Sequence, residues 1–414
     1  MDVSSIFLAV GVAIFVGFAA NFLFRKYGAP DVLVLIFLGI LFGPGAIGIV
    51  DTKLAGSINS ITPYVAAIAL AIIMFEAGMD LKPAQVLGSF KNAVLHTILA
   101  FLLSMVITAG ICILILNWPI ATSLVLGAIL GGTSGAIVIP LVKKLNISDR
   151  TETVLTLEAA LTDVLVIVVA TAILFTITDV STGFGSAAKL LVSAFLISTV
   201  IGLLGGIFWL RILSKLAGQP FSYMTTLATL VILYAVTELT VGGGGGAVAA
   251  LVFGLVIRNK DSVVKLLRIS AGKLNFEERI RDFNSEISFF VRTFFFVYLG
   301  LVFSTIVLTF TYVLLAGLIF CGLIVVRWSA IRLESRSMRL DKTDRLAHIL
   351  MMPRGLSAAV LASVPLTTHA VPYEIGVMIL GITVLVILMT TVLASIGAYY
   401  METINRRNPD AKGI

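Results

Sequence analysis

Runs of about 20 apolar residues follow one another along nearly the whole chain, separated by short stretches where Lys, Arg, Gly and Pro gather. A run of that length, wound as a helix, spans the hydrocarbon core of a bilayer. The pattern predicts about 13 spans, near 4–24, 31–50, 62–79, 93–116, 120–142, 153–178, 187–210, 222–241, 245–257, 286–307, 310–331, 345–366 and 373–400. The ninth is short and follows the glycine run Gly242 to Gly246. No charge-rich leader or small-residue cleavage site marks the first run, so it reads as a retained span and not as a signal peptide. The expected fold class is an all-α polytopic membrane protein without a soluble domain.

Composition sharpens this reading. Of 414 residues, 59% are hydrophobic and 12% charged, where a soluble protein carries about 25% charged residues. The formal charge of +7 does not indicate nucleic acid, because the basic residues sit in alternate short loops. One set holds Arg25 and Lys26; Lys82 and Lys91; Lys143, Lys144 and Arg150; Arg211 and Lys215. It continues with Arg258 through Arg281, Arg332 through Arg345, and the terminal Arg406, Arg407 and Lys412. The opposite set holds Lys53 and Lys189. Positive loops stay cytoplasmic, which predicts an outside N-terminus, an inside C-terminus and an odd number of spans in a cell membrane. The polar stretch 258–285 reads as an amphipathic helix on the cytoplasmic surface. Cys112 and Cys321 lie inside apolar runs and read as small buried hydrophobes.

Among the charges that fall within spans are Arg292, Arg327, Arg354, Glu158, Asp163 and Glu238. A charge at that depth costs several kcal/mol unless paired or hydrated, so each is a functional candidate. Two spans also carry helix-weakening sequence. The fifth has Gly131-Gly132-Thr133-Ser134-Gly135 at its centre and Pro140 near its end; the twelfth has Pro353-Arg354-Gly355. In transporters, broken helices of this kind turn backbone carbonyls and half-helix ends toward an ion; close packing at glycine is the competing explanation. On the sixth span, at about 100° per residue, Glu158 and Thr162 lie within about 40° of each other and Asp163 about 140° from Glu158. The two carboxylates therefore do not form one ligand pair. Arg327 is the natural partner for Glu158, in a scaffold role, which leaves Asp163 free to take a proton or an alkali cation. Thr133, Ser134 and Thr162 can add oxygen ligands. There is no Cys or His cluster for a transition metal and no phosphate loop at Gly242 to Gly246. His96, His348 and His369 stand near span ends and read as interfacial, with pH sensing as the other option. Glu238 is either functional or reaches the outer interface.

These residues, taken in order, resemble the monovalent cation:proton antiporter superfamily, in its NhaP-type branch. The likeness is carried by Leu38-Gly39-Ile40-Leu41-Phe42-Gly43-Pro44, Phe75-Glu76-Ala77-Gly78-Met79, Thr133-Ser134-Gly135 and Glu158 to Asp163. Tyr234 with Glu238, Phe294-Phe295-Phe296-Val297-Tyr298-Leu299-Gly300 and Pro353-Arg354-Gly355 complete the set. The resemblance implies inverted repeats with spans 5 and 12 unwound and crossed, a homodimer, and alternating access by a moving core. It implies a transport domain at about 93–178 and 310–400 and a dimerisation domain at about 1–90 and 187–307. The family's Asn-Asp pair falls on Thr162-Asp163, its preceding Glu on Glu158, the partnering Arg on Arg327 and the backbone ligand of the fifth helix on Thr133. Arg354 and Glu238 are carried as supporting residues. The chain departs from the family at Ser134, where an Asp is frequent, and at Thr162, so one ligand carboxylate is missing.

The resulting expectation is a secondary antiporter that exchanges Na⁺ or Li⁺ for H⁺, electroneutrally by analogy, with the cation held at Asp163 together with Thr133, Thr162, Ser134 and Glu158. It needs no cofactor and has no catalytic residue. A K⁺/H⁺ exchanger on the same scaffold is the alternative. A channel would need a filter of repeated carbonyls or a ring of charge, and an intramembrane enzyme would need a serine spaced against a base. Neither signature is in the sequence.

Overall fold

The structure is a computed structural model that describes every residue except 1–2, 28–29, 49, 51, 81–82, 179–183, 217–221, 243, 261–262, 264–276, 335–339, 369 and 408–414. The described residues form fifteen helices and no strand. In chain order they are α1 (Val3–Tyr27), α2 (Asp31–Phe42), α3 (Thr52–Asp80), α4 (Pro83–Leu116) and α5 (Ile120–Ile129). Then come α6 (Gly135–Val142), α7 (Asp149–Thr178), α8 (Phe184–Lys215), α9 (Ser222–Val241) and α10 (Gly245–Arg258). The last are α11 (Glu277–Ser304), α12 (Phe310–Glu334), α13 (Lys342–Leu350), α14 (Leu356–Thr367) and α15 (Tyr373–Arg407). Seven are long and apolar enough to cross a membrane, and six further apolar helices are shorter. The chain is an all-α, multi-pass membrane protein.

Two of the predicted spans are interrupted as expected: α5 and α6 share the fifth, α13 and α14 the twelfth. The second span is shorter than the apolar run suggested. Pro44 disfavours a helical conformation at the residue before it, and Gly43 is extended (φ −71°, ψ 167°), so α2 stops at Phe42. The start of α10 uses Gly244 at φ 83°, a conformation glycine adopts without a Cβ penalty.

The chain forms two compact units. The first comprises Met1–Pro63, Ser89–Val166 and Thr293–Ile414. In it α15 packs against α12, α13 and α14, and α14 also touches α5. Backbones approach closely where α2 meets α11: a Cβ on Gly39 would run into the carbonyl of Val297, and one on Gly300 into that of Ile36. Small residues are what allow helices to associate in lipid, where no hydrophobic force drives them together.

The second unit comprises Tyr64–Gly88 and Ile167–Arg292. Here α8, α9 and α10 pack together, and Gly202 and Gly206 of α8 leave room for Ala249 and Val256. Gly254 lies against the Phe75 carbonyl, the Phe75 and Phe253 ring centroids are 5.5 Å apart, and Trp209 Nε1 donates to Thr226 Oγ1 at 3.0 Å.

Two expectations need correction. Cys112 is buried but Cys321 is exposed: on α12 it stands six residues before the inward-facing Arg327, about 120° away round the helix. His348 is fully buried in α13 instead of lying at an interface; α13 is the amphipathic half of a broken span, and its buried side includes Asp344, Ala347 and His348. The predicted surface helix at 258–285 falls mostly outside the described residues, as do His369 and the side chain of His96.

Candidate functional site

The fifth span breaks where glycines remove side-chain support and the twelfth where Pro353 cannot donate a backbone hydrogen bond. Within a bilayer the freed groups must find partners inside the protein, and in the first unit they find each other. The Ser134 N–H donates to the Pro353 carbonyl at 2.8 Å, so the two interrupted spans meet at their breaks. The Thr133 N–H donates to Thr162 Oγ1 at 3.0 Å, and that hydroxyl lies 3.2 Å from the Thr133 carbonyl and 3.3 Å from that of Ala159. The Arg354 N–H donates to Thr390 Oγ1 at 3.0 Å, and its Nη1 to the Met352 carbonyl at 3.2 Å. The Arg354 guanidinium, 2% exposed, thus sits at the carbonyl end of α13, where a cation complements the helix dipole.

Asp163 occupies the complementary position. Its Oδ2 accepts from the Gly135 N–H at the start of α6 (3.0 Å), and its Oδ1 accepts from Ser357 Oγ in the first turn of α14 (2.6 Å). The starts of two half-helices thus meet at one carboxylate, α6 through a backbone N–H and α14 through a hydroxyl. Asp163 is only half-buried, whereas Thr133, Ser134, Glu158, Thr162 and Ser357 are each at most 5% exposed.

Glu158 has a different setting. Arg327 of α12 grips it in a two-pronged pair, Nη1 to Oε2 at 2.8 Å and Nη2 to Oε1 at 2.5 Å, with both side chains buried. Fork-to-fork geometry of this kind is the strong form of the ion pair. Among the described residues no group of three or more His, Cys, Asp or Glu could hold a metal ion, so a cation at Asp163 would complete its shell from hydroxyls and carbonyls.

Thr133, Thr162, Asp163 and Ser134 therefore come together with Ser357 around the two breaks. Ser134 turns its hydroxyl toward Gly355, where a Cβ would collide with it. Glu158 and Arg327 form their own pair. Glu238 belongs to the second unit, where its carboxylate accepts from the amides of Gly244 (3.1 Å) and Gly246 (3.0 Å) and caps α10. Sequence reasoning passed over Ser357 as a partner of Asp163; the signal was a hydroxyl two residues beyond the Pro353-Arg354-Gly355 break. It also missed Thr390, which supports the backbone of the same break from α15, and Asp344. The Asp344 carboxylate accepts from Ser148 N (3.0 Å) and Ser148 Oγ (2.7 Å) and ties the start of α7 to α13.

The chain is similar to several known proteins. The family model described as "Sodium/hydrogen exchanger, transmembrane" matches residues 10–398. The K(+)/H(+) antiporter NhaP of Alkalimonas amylolytica is 26% identical over 279 residues, covering 64% of this chain and 46% of that protein. Sodium/hydrogen exchanger 8 of Arabidopsis thaliana is 29% identical over 212 residues, covering 49% and 28%. The chain thus spans about half or less of the length of these relatives. The structure of the sodium proton antiporter MjNhaP1 from Methanocaldococcus jannaschii at pH 8 superposes with a TM-score of 0.75 at 21% identity, covering 96% of this chain and 99% of that one. That likeness establishes the shared fold.

Proposed function

The chain belongs to the sodium/hydrogen exchanger family, and from that premise we propose that it is a secondary antiporter exchanging Na⁺ or Li⁺ for H⁺ by alternating access at Asp163. The observation that carries this reading is the contrast between two carboxylates on one helix. Glu158 is neutralised by a buried guanidinium, while Asp163 is partly exposed and held only by an amide and a hydroxyl. A carboxylate in that position can take either a proton or an alkali cation, and competition between the two is the exchange. Thr133 and Thr162 supply neighbouring oxygens, Ser134 and Arg354 hold the breaks, and Glu158 with Arg327 is scaffold.

The same reading assigns a transport domain to about 93–178 and 310–400 and a dimerisation domain to about 1–90 and 187–307. It takes the chain as a homodimer in the cell membrane, N-terminus outside and C-terminus in the cytoplasm, the side favoured by its basic loops. It needs no chemistry of an enzyme.

A K⁺/H⁺ exchanger is the second reading. It is favoured by the relative named as a K(+)/H(+) antiporter and by Ser134 and Thr162, which make the oxygen set less charged. The deciding experiment is proton flux in proteoliposomes under an imposed pH gradient, adding Na⁺, Li⁺ and K⁺ in turn. Na⁺ and Li⁺ should dissipate the gradient, and Asp163→Asn should abolish the signal while the protein still purifies folded. Dissipation by K⁺ alone would transfer the assignment to potassium, and full activity of Asp163→Asn would remove Asp163 from the mechanism.

A further inference from the structure

We propose that Ser357 is a ligand of the transported cation and sets its selectivity, a deepening that rests on the antiporter reading above. Three observations carry it. Ser357 Oγ lies 2.6 Å from Asp163 Oδ1, a short contact of the kind made between a hydroxyl and an ionised carboxylate. The side chain is 5% exposed, so its orientation is set by the protein and not by bulk water. Ser357 also stands in the first turn of α14, directly after the break that meets Ser134.

A hydroxyl has one proton to give and two lone pairs. Facing a bare carboxylate, Ser357 turns its proton toward Oδ1, as here. A cation seated on Oδ1 repels that proton and attracts the lone pairs, so a rotation about the side-chain bonds converts the same oxygen from donor to ligand. The serine thus remains bonded in either condition. Alkali cations take hard oxygen ligands. Ser357 supplies an oxygen from the opposite broken span, so that α14 reaches the occupant of Asp163 while α6 holds the carboxylate itself through the Gly135 N–H. Because the hydroxyl is neutral, the site carries one negative charge, and its preference among Na⁺, Li⁺ and K⁺ follows from how closely Ser357 and Asp163 approach each other.

The test uses the full-length protein in proteoliposomes and reads KM for each cation, maximal rate and the Na⁺:K⁺ preference of Ser357→Ala, Ser357→Thr and Ser357→Cys. Ser357→Ala should raise KM about tenfold with a maximal rate nearly unchanged and should shift the Na⁺:K⁺ ratio. Ser357→Thr, which keeps the hydroxyl, should stay within about twofold of the wild type, and Ser357→Cys should behave like alanine because sulfur is a soft ligand. Should Ser357→Ala fail to fold, the Thr and Cys pair decides alone, since both preserve a side chain of similar size. A fall in maximal rate with unchanged KM and unchanged cation preference would overturn the proposal and leave Ser357 a positioning residue. Wild-type protein that moves no alkali cation would instead overturn the antiporter reading, a result seen before any variant is compared.

Discussion

Asp163 and Glu158 sit on the same helix, α7, yet their surroundings differ. Glu158 and Arg327 are both buried and satisfy each other's charge. Such a pair adds little net stability over an apolar alternative, but removing one partner strands the other as an uncompensated buried charge, at a cost of about 3–5 kcal/mol. Glu158→Gln and Arg327→Ala should therefore lower the unfolding temperature in detergent while leaving the order of cation preference intact. A shifted preference in protein of unchanged stability would move the pair from scaffold to site. The facing of Glu158 away from Asp163 was legible in the sequence, since helical geometry alone sets them about 140° apart. The partnership of Ser357 with Asp163 was not, because the two are separated by 194 positions and no local pattern links them.

At the scale of elements, the site depends on two half-helix breaks held against each other. A Cβ on Gly355 would collide with Ser134, so Gly355→Ala should push the breaks apart and cost about 1–3 kcal/mol, the usual penalty of overpacking. The double variant Gly355→Ala with Ser134→Gly should recover much of the loss in both thermal stability and flux, a coupling that a double-mutant cycle measures. Additive losses would mean that the contact is not what sets the spacing. The location of both breaks was evident from Gly131-Gly132 and Pro353-Arg354-Gly355, because weak helix formers act locally. What satisfies the exposed backbone was not evident: Thr162 and Thr390 lie on other helices, and a threonine within an apolar span looks the same whether it bonds its own helix or a neighbour's.

For the whole molecule, the proposed exchange at a single carboxylate would have a consequence for energetics. Asp163 with a proton and Asp163 with a monovalent cation carry the same net charge, so one H⁺ moved against one Na⁺ transfers no charge overall. Each uncompensated charge would couple to the membrane potential by about 2.3 kcal/mol per 100 mV. Exchange should thus run at the same rate when a potential of either sign is imposed across the proteoliposome, and a rate that follows the potential would exclude 1:1 stoichiometry. The same scale holds Glu238, which sequence reading offered as functional or interfacial and whose carboxylate caps α10 in the second unit.

The sequence by itself determined the multi-pass helical architecture, the two interrupted spans and which charged residues lie within the spans. These follow from local quantities: the length of an apolar run, the helix-breaking character of Gly and Pro, and the cost of a charge in hydrocarbon. Only the tertiary structure decided which hydroxyl meets Asp163, that Ser134 turns toward Gly355, that Asp344 tethers the start of α7, and that Cys321 faces outward while His348 is enclosed. Those outcomes depend on which faces of different helices pack together. In spans that are apolar on every side, hydrophobic periodicity carries no record of that choice.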